Sequence, residues 1–151
     1  MSNWTTISVE DLNDTKVAAM VDALRSSALA TGQSDPSGRI IQEVVSRIRA
    51  EIKGCYKNKL DIDTAKIPNS LKDLACRMII RLLKNRLELP LTEDERSDKR
   101  SDERFLERIS KCEVPISTPD QPTDSGEVQP PPTPVILKRT RSYTGLAEDG
   151  V

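Results

Sequence analysis

Between Ile67 and Pro90 the chain reads IPNSLKDLACRMIIRLLKNRLELP, its most strongly apolar segment and one that carries its own start and stop signals. Leu71, Leu74, Ala75, Met78, Ile79, Leu82, Leu83 and Leu87 recur at three- and four-residue steps. That spacing draws one wide apolar stripe down a helix. Lys72, Arg77, Arg81, Lys84 and Arg86 take much of the remaining surface. Ser70 is placed to accept a hydrogen bond from the Asp73 N–H, with Pro68 just outside. Pro90 forbids continuation and pushes Leu89 away from helical angles. A helix of this kind has to be buried on one side, so the segment predicts the central helix of a small helical domain.

A chain of 151 residues suffices for one domain, and with Trp4, Tyr56, Phe105 and Tyr143 as its whole aromatic set the core has to be aliphatic. After Cys112 there are 3 basic against 6 acidic residues, and the part before it is close to balanced. Neither part is basic enough to bind nucleic acid through counterion release alone. Cys55, Cys76 and Cys112 are odd in number, far apart and without any histidine. This argues for reduced thiols in a cytosolic protein, against a zinc site or disulfide frame, and for Cys76 and Cys112 as small core residues. No signal peptide or membrane-spanning stretch is expected.

Ahead of the central helix, MSNWTTI reads as an extended arm anchored by Trp4 and Ile7, and Ser8 with Asp11 forms a capping box for a turn over Val9 to Leu12. A second helix, capped by Asn13 or Asp14, is predicted from Val17, Met20, Val21, Leu24 and Ala28. A third runs from about Asp35 to Lys53, with Ile40, Ile41, Val44, Val45, Ile48 and Ile52 inward, Arg39, Glu43, Arg47, Arg49 and Glu51 outward, and Gly54 as its stop. The link from Gly54 to Pro68 alternates Leu60 and Ile62 with Asp61 and Asp63, which suits an extended connector. A last helix from Thr92 to Cys112 opens with a Thr92–Glu95 capping box and is charged at 13 of the 20 positions from Glu93 to Cys112. Glu95 to Lys99 and Glu107 to Lys111 are well-oriented pairs, and only Phe105, Leu106, Ile109 and Cys112 form an apolar patch. Such a helix is either solvated and docked by its last two turns, or lines a subunit contact through charge.

The fold class is therefore all-α: a small bundle of four to five helices, residues 1–114, with an extended proline-rich C-terminal tail, residues 115–151. Seven of the ten prolines lie after Cys112, and that tail cannot bury enough apolar surface to fold alone. Val135, Ile136 and Leu137 nevertheless form a β-prone triplet directly after a polyproline spacer, followed by Lys138, Arg139, Arg141 and Tyr143. An adhesive segment on a semi-rigid spacer suits docking on a partner by strand addition, and composition alone leaves this level with a chance triplet in an unfolded tail.

Chemistry is hard to place. There is no histidine, no nucleophile beside a base, no glycine-rich phosphate loop and no cysteine pair at zinc spacing. The acids of the last helix are interleaved with arginine and lysine, which makes solvated ion pairs a better description than a cation site. No cofactor, metal or catalytic activity is expected.

The order of elements, SVEDL, then a helix ending in EIKGCY, an extended link, IPNSLKDLACRMIIRLL and a charged last helix, resembles the head-to-tail connector (head-completion adaptor) proteins of tailed bacteriophages, including the small Mu-like type. The features that carry it are the Asp11-Leu12 pair, Gly54 and Tyr56 at the helix end, and Ile67-Pro68 followed by Leu71, Leu74 and Ala75, over about Ile7 to Ile116. The low aromatic content and the long tail depart from the pattern. The resemblance implies a virion protein, made in the host cytoplasm, that forms a dodecameric ring on the portal protein and meets a tail-proximal connector, stopper or tail-terminator protein. Genome DNA then passes through the ring lumen without sequence-specific binding, and no membrane is involved. Val135, Ile136, Leu137, Lys138, Arg139, Arg141 and Tyr143 would dock on the portal or a neighbouring subunit, and Arg96, Arg100 and Arg104 would line the subunit interface. The alternative is a small helical DNA-binding regulator, suggested by the arginines of the central helix. Its loops are too long for a helix-turn-helix, and its central helix is apolar where a recognition helix is polar.

Overall fold

The computed structural model describes residues 2–13, 18–30, 32 and 36–123. Its elements in chain order are β1 (Trp4–Thr6), α1 (Val9–Asn13), α2 (Ala18–Ala30), α3 (Pro36–Gly54), β2 (Lys66–Pro68), a 3₁₀ turn (Asn69–Leu71), α4 (Lys72–Arg86) and α5 (Glu93–Ser110). The described part is thus mostly helical, with one small antiparallel sheet in which Trp4 faces Pro68, Thr5 faces Ile67 and Thr6 faces Lys66.

Helix α3 is the axis, packed against α2, α4 and α5. Its predicted face is correct: Ile40, Val44, Val45, Ile48 and Ile52 are buried, and Ile41 is half-buried. Pro36 opens it, a position where proline's missing N–H costs nothing. Arg47 lies 3.8 Å from Glu103, and Gly54 abuts Ser110, so α3 and α5 run parallel, side by side. A Cβ on Gly54 would stand 3.0 Å from the Ser110 Cβ. Gly54 is therefore suited by close helix approach rather than by the left-handed turn that a terminal glycine usually supplies.

Helix α4 buries Leu74, Ala75, Cys76, Met78, Ile79 and Leu83, the core of the predicted stripe. Its start differs from expectation. Lys66–Pro68 pairs with β1, and Asn69 donates its N–H to the Asn3 carbonyl at 3.0 Å, so α4 begins only at Lys72. No side chain caps it, Ser70 included. Pairing with the N-terminal arm has displaced the local cap. Both α4 and α5 end on a non-glycine residue in the left-handed region, Glu88 at φ 55° and Cys112 at φ 62°. Leu89 donates to the Lys84 carbonyl at 2.9 Å and Glu113 to the Arg108 carbonyl at 2.9 Å, closing each end with a Schellman-type bond.

The two capping boxes form as expected. Ser8 N–H donates to the Asp11 carboxylate at 2.8 Å and Asp11 N–H to the Ser8 hydroxyl at 3.4 Å. Thr92 and Glu95 exchange the equivalent pair at 2.9 and 3.3 Å. Glu95 pairs with Lys84 of α4 rather than with Lys99, because its capping position turns it toward the neighbouring helix. Lys111 to Glu107 forms as predicted, at 2.6 Å. Asp14 and Val17 lie outside the described residues, as does the side chain of Ala28.

Cys55 and Cys112 form a disulfide, which corrects the expectation of reduced thiols and of Cys112 as a plain core residue. Parallel packing of α3 and α5 brings their C-terminal ends together, which a sequence separation of 57 residues conceals. Cys76 is the buried free thiol that was expected. A cross-link of that span removes about 4 kcal/mol of loop-closure entropy from the unfolded chain. Adding dithiothreitol should therefore lower the urea midpoint of the intact protein, and Cys55→Ser should start lower and not respond. Equal midpoints with and without reductant would show that the bond carries no stability.

Candidate functional site

The longest-range organisation in the molecule converges on Arg49. This residue was expected outward because of its charge, but it is buried, at 9% exposure. Its guanidinium donates to the carbonyls of Asp61 at 2.7 Å, Asp63 at 3.0 Å and Lys66 at 2.7 Å, and lies 5.8 Å from the centre of the Trp4 ring. Burial pulls the Arg49 pKa down from its ordinary value, and the charges of Asp61 and Asp63 oppose that pull. The connector, which turns at Asp61 to Ala65 where an extended run was expected, is thus wrapped around one cation. Its alternation holds only in part: Leu60 packs against the core and Asp63 is exposed, but Asp61 is fully buried and Ile62 is 64% exposed. Asp61 Oδ1 accepts from the Asp63 N–H at 2.9 Å, while Oδ2 has no hydrogen-bond partner and relies on the nearby Arg49 charge.

The same junction captures the first part of the segment assigned to the tail. Trp4 Nε1 donates to the Ser117 carbonyl at 2.9 Å, and the Ser2 hydroxyl donates to Asp120 at 2.5 Å. Ile62 N–H donates to the Gln121 carbonyl at 2.9 Å and Thr123 N–H to the Leu60 carbonyl at 2.8 Å, around an antiparallel bridge between Asp61 and Pro122. Val114 and Ile116 pack against the core and Pro119 is buried. Residues 115–123 therefore lie along the body.

On the other side of α3, α5 is held by Asp102. Its carboxylate accepts from Arg77 at 2.7 Å and from Arg81 at 2.6 Å, with a side-chain exposure of only 7%. Burial works against the charge, but the Arg77 and Arg81 hydrogen bonds outweigh it and hold Asp102 below the ordinary value of 3.8. The outer face of α5 is solvated. Arg96, Arg100 and Arg104 are all exposed there, and Arg96 and Arg100 each stand 3.6 Å from Glu93. At such exposure these pairs contribute little to stability.

The expected interface arginines thus share one helix. The expected docking residues Val135, Ile136, Leu137, Lys138, Arg139, Arg141 and Tyr143 lie outside the described residues. Two organising residues were missed, though spacing marked both. Arg49 is four residues from Val45 and three from Ile52, and Asp102 is four from Leu106 and seven from Ile109, so each falls on a buried stripe. Among the described residues no group of three or more His, Cys, Asp and Glu side chains could hold a metal ion, and no helix is long and apolar enough to cross a membrane.

Replacing Asp102 by Asn should cost about 3 kcal/mol at pH 7, because it leaves Arg81 buried and without its counter-charge. The folded pKa of Asp102 is depressed, so its contribution is present above the unfolded value and lost as pH falls below about 4. Urea midpoints of the wild type and Asp102→Asn should therefore converge between pH 6 and pH 3; a constant gap would mean that the carboxylate charge is not what matters. No protein-family model, no curated protein and no solved structure matches the chain.

Proposed function

We propose that the protein is a structural adaptor of the head-to-tail connector kind, joining a DNA-filled phage capsid to its tail as a ring, dodecameric by the resemblance, on the portal. The resemblance in element order is what suggests this role. The observation that carries it is the backbone clamp that fastens the chain to the body as far as Thr123. The sequence beyond that anchor is a proline-rich spacer followed by an apolar triplet, the composition of a tethered docking segment. The body supplies a rigid platform and the last 28 residues reach the portal or a neighbouring subunit through Val135 to Arg141 and Tyr143. The exposed arginines of α5 face the next copy in the ring. A particle released from its host enters an oxidising medium, in which the Cys55–Cys112 bond persists.

The runner-up, a helical DNA-binding regulator, requires free arginines on α4. Arg77 and Arg81 are engaged by Asp102 and the apolar face of α4 is turned into the core, which leaves Arg86 as the one other arginine of that helix, exposed at its last turn.

Deleting Pro130 to Val151 should weaken capture by the portal at least about tenfold, the equivalent of about 1.4 kcal/mol, in a pull-down. Undiminished capture would refute the docking role. Arg100→Glu combined with Arg104→Glu should lower the assembled mass on portal in light scattering while leaving the thermal unfolding of the free protein in place. An unchanged mass would remove α5 from the interface.

A further inference from the structure

Past Cys112 the described chain forms no helix, and residues 113–123 cross the body as a strap interrupted by Pro115, Pro119 and Pro122. Its hold is light. Pro119 is buried, but Val114 and Ile116 are only half-buried, and the bonds that tie its middle to Ser2 and Asn3 are exposed. Those from Asn3 are long, at 3.4 Å to the Thr118 carbonyl and 3.5 Å to Asp120. Segments with few buried contacts and solvated hydrogen bonds are the first to open. What the strap covers is well buried: the Trp4 ring, whose Nε1 donates to Ser117, and a connector edge where Thr123 and Gln121 pair with the Leu60 carbonyl and the Ile62 N–H.

The root of the strap is pinned covalently. Cys112 joins α5 to the strap, and its bond to Cys55 fixes that junction to the end of α3. Cys112 has φ 62°, a left-handed backbone that an L residue keeps only where its surroundings impose it. The disulfide and the 2.9 Å bond from the Glu113 N–H to the Arg108 carbonyl together impose it here. Helix α5 keeps the Asp102 clamp and its buried Leu106 and Ile109 if the disulfide opens, whereas the strap has no second anchor of that kind.

We propose that the Cys55–Cys112 bond is a redox latch: oxidised, it holds residues 113–123 over Trp4 and the Leu60–Ile62 edge, and reduced, it lets the strap lift away while the helices stay packed. The reductant is a dithiol. One of its thiolates attacks a sulfur of the bond, on the side of half-buried Cys112 rather than buried Cys55, and forms a mixed disulfide while the other protein sulfur leaves as a thiolate. The second thiol of the reductant then closes the reductant's own disulfide and frees the remaining cysteine. Two electrons and two protons pass to the protein, which gains two thiols. Cellular thiol systems reduce accessible disulfides and oxidising media preserve them, so the strap is open in the first setting and shut in the second. The latch belongs to the free molecule and does not rest on the adaptor role.

Trp4 is the single tryptophan of the chain, so its fluorescence reports on the strap. In buffer without denaturant, dithiothreitol should raise the acrylamide quenching constant of Trp4 about twofold or more and speed amide exchange at Ile62 and Thr123, with far-UV ellipticity unchanged. Cys55→Ser should match the reduced wild type before and after the reductant is added. Should that variant not fold, the wild type with and without dithiothreitol decides alone. Unchanged quenching in a wild type whose three cysteines all titrate as thiols, counted after transfer to denaturant, would overturn the proposal. So would quenching that rises together with a loss of ellipticity, since the bond would then hold the whole domain rather than the strap.

Discussion

A single buried guanidinium holds the non-helical part of this protein together. Charged groups leave water only when hydrogen bonds replace their hydration, and Arg49 makes three, to backbone carbonyls of one connector. The Asp63 carbonyl also accepts from the Lys66 N–H at 3.2 Å, so the guanidinium adds to a turn at the entry to β2. The chain from Asp61 to Lys66 takes its path from that turn and from the reach of one side chain. Trp4 covers the guanidinium from the other side and carries the N-terminal arm with it.

From that junction the rest follows by packing. Fixing Lys66 to Pro68 beside β1 sets where α4 starts and which way it runs, and the aliphatic stripe of α4 then meets α3. Helix α5 has too few apolar residues to dock by burial alone, with only Asp102, Leu106 and Ile109 buried. Its place depends on two further devices, the ionic Asp102 clamp to α4 and the covalent disulfide to the end of α3. Both act where hydrophobic area is short, as expected of a small domain whose core is aliphatic and modest.

The surface left over is divided in character. The outer face of α5 is dense in paired charges, which keeps it hydrated and favours electrostatic contacts over apolar ones. The groove between α3, α4 and α5 is mixed, with Val44, Met78, Leu82 and Leu106 interleaved with Glu43, Asn85 and Lys99. A surface of the first kind suits polar contacts whose strength falls with added salt.

The residues themselves determined the helical class, the buried faces of α3 and α4, both capping boxes and the extended arm, because each follows from spacing or from bonds within about four residues. Tertiary contacts decided the remainder. Ser70 lost its cap because residues 66–68 had a better partner in a strand far away in the sequence. Arg49 and Asp102 were legible as members of apolar stripes, yet their charge argued for solvent until partners contributed by other segments made burial tolerable. Cys55 and Cys112 met because α3 and α5 run parallel, and the direction in which two helices pack is set by the whole core, not by any local pattern.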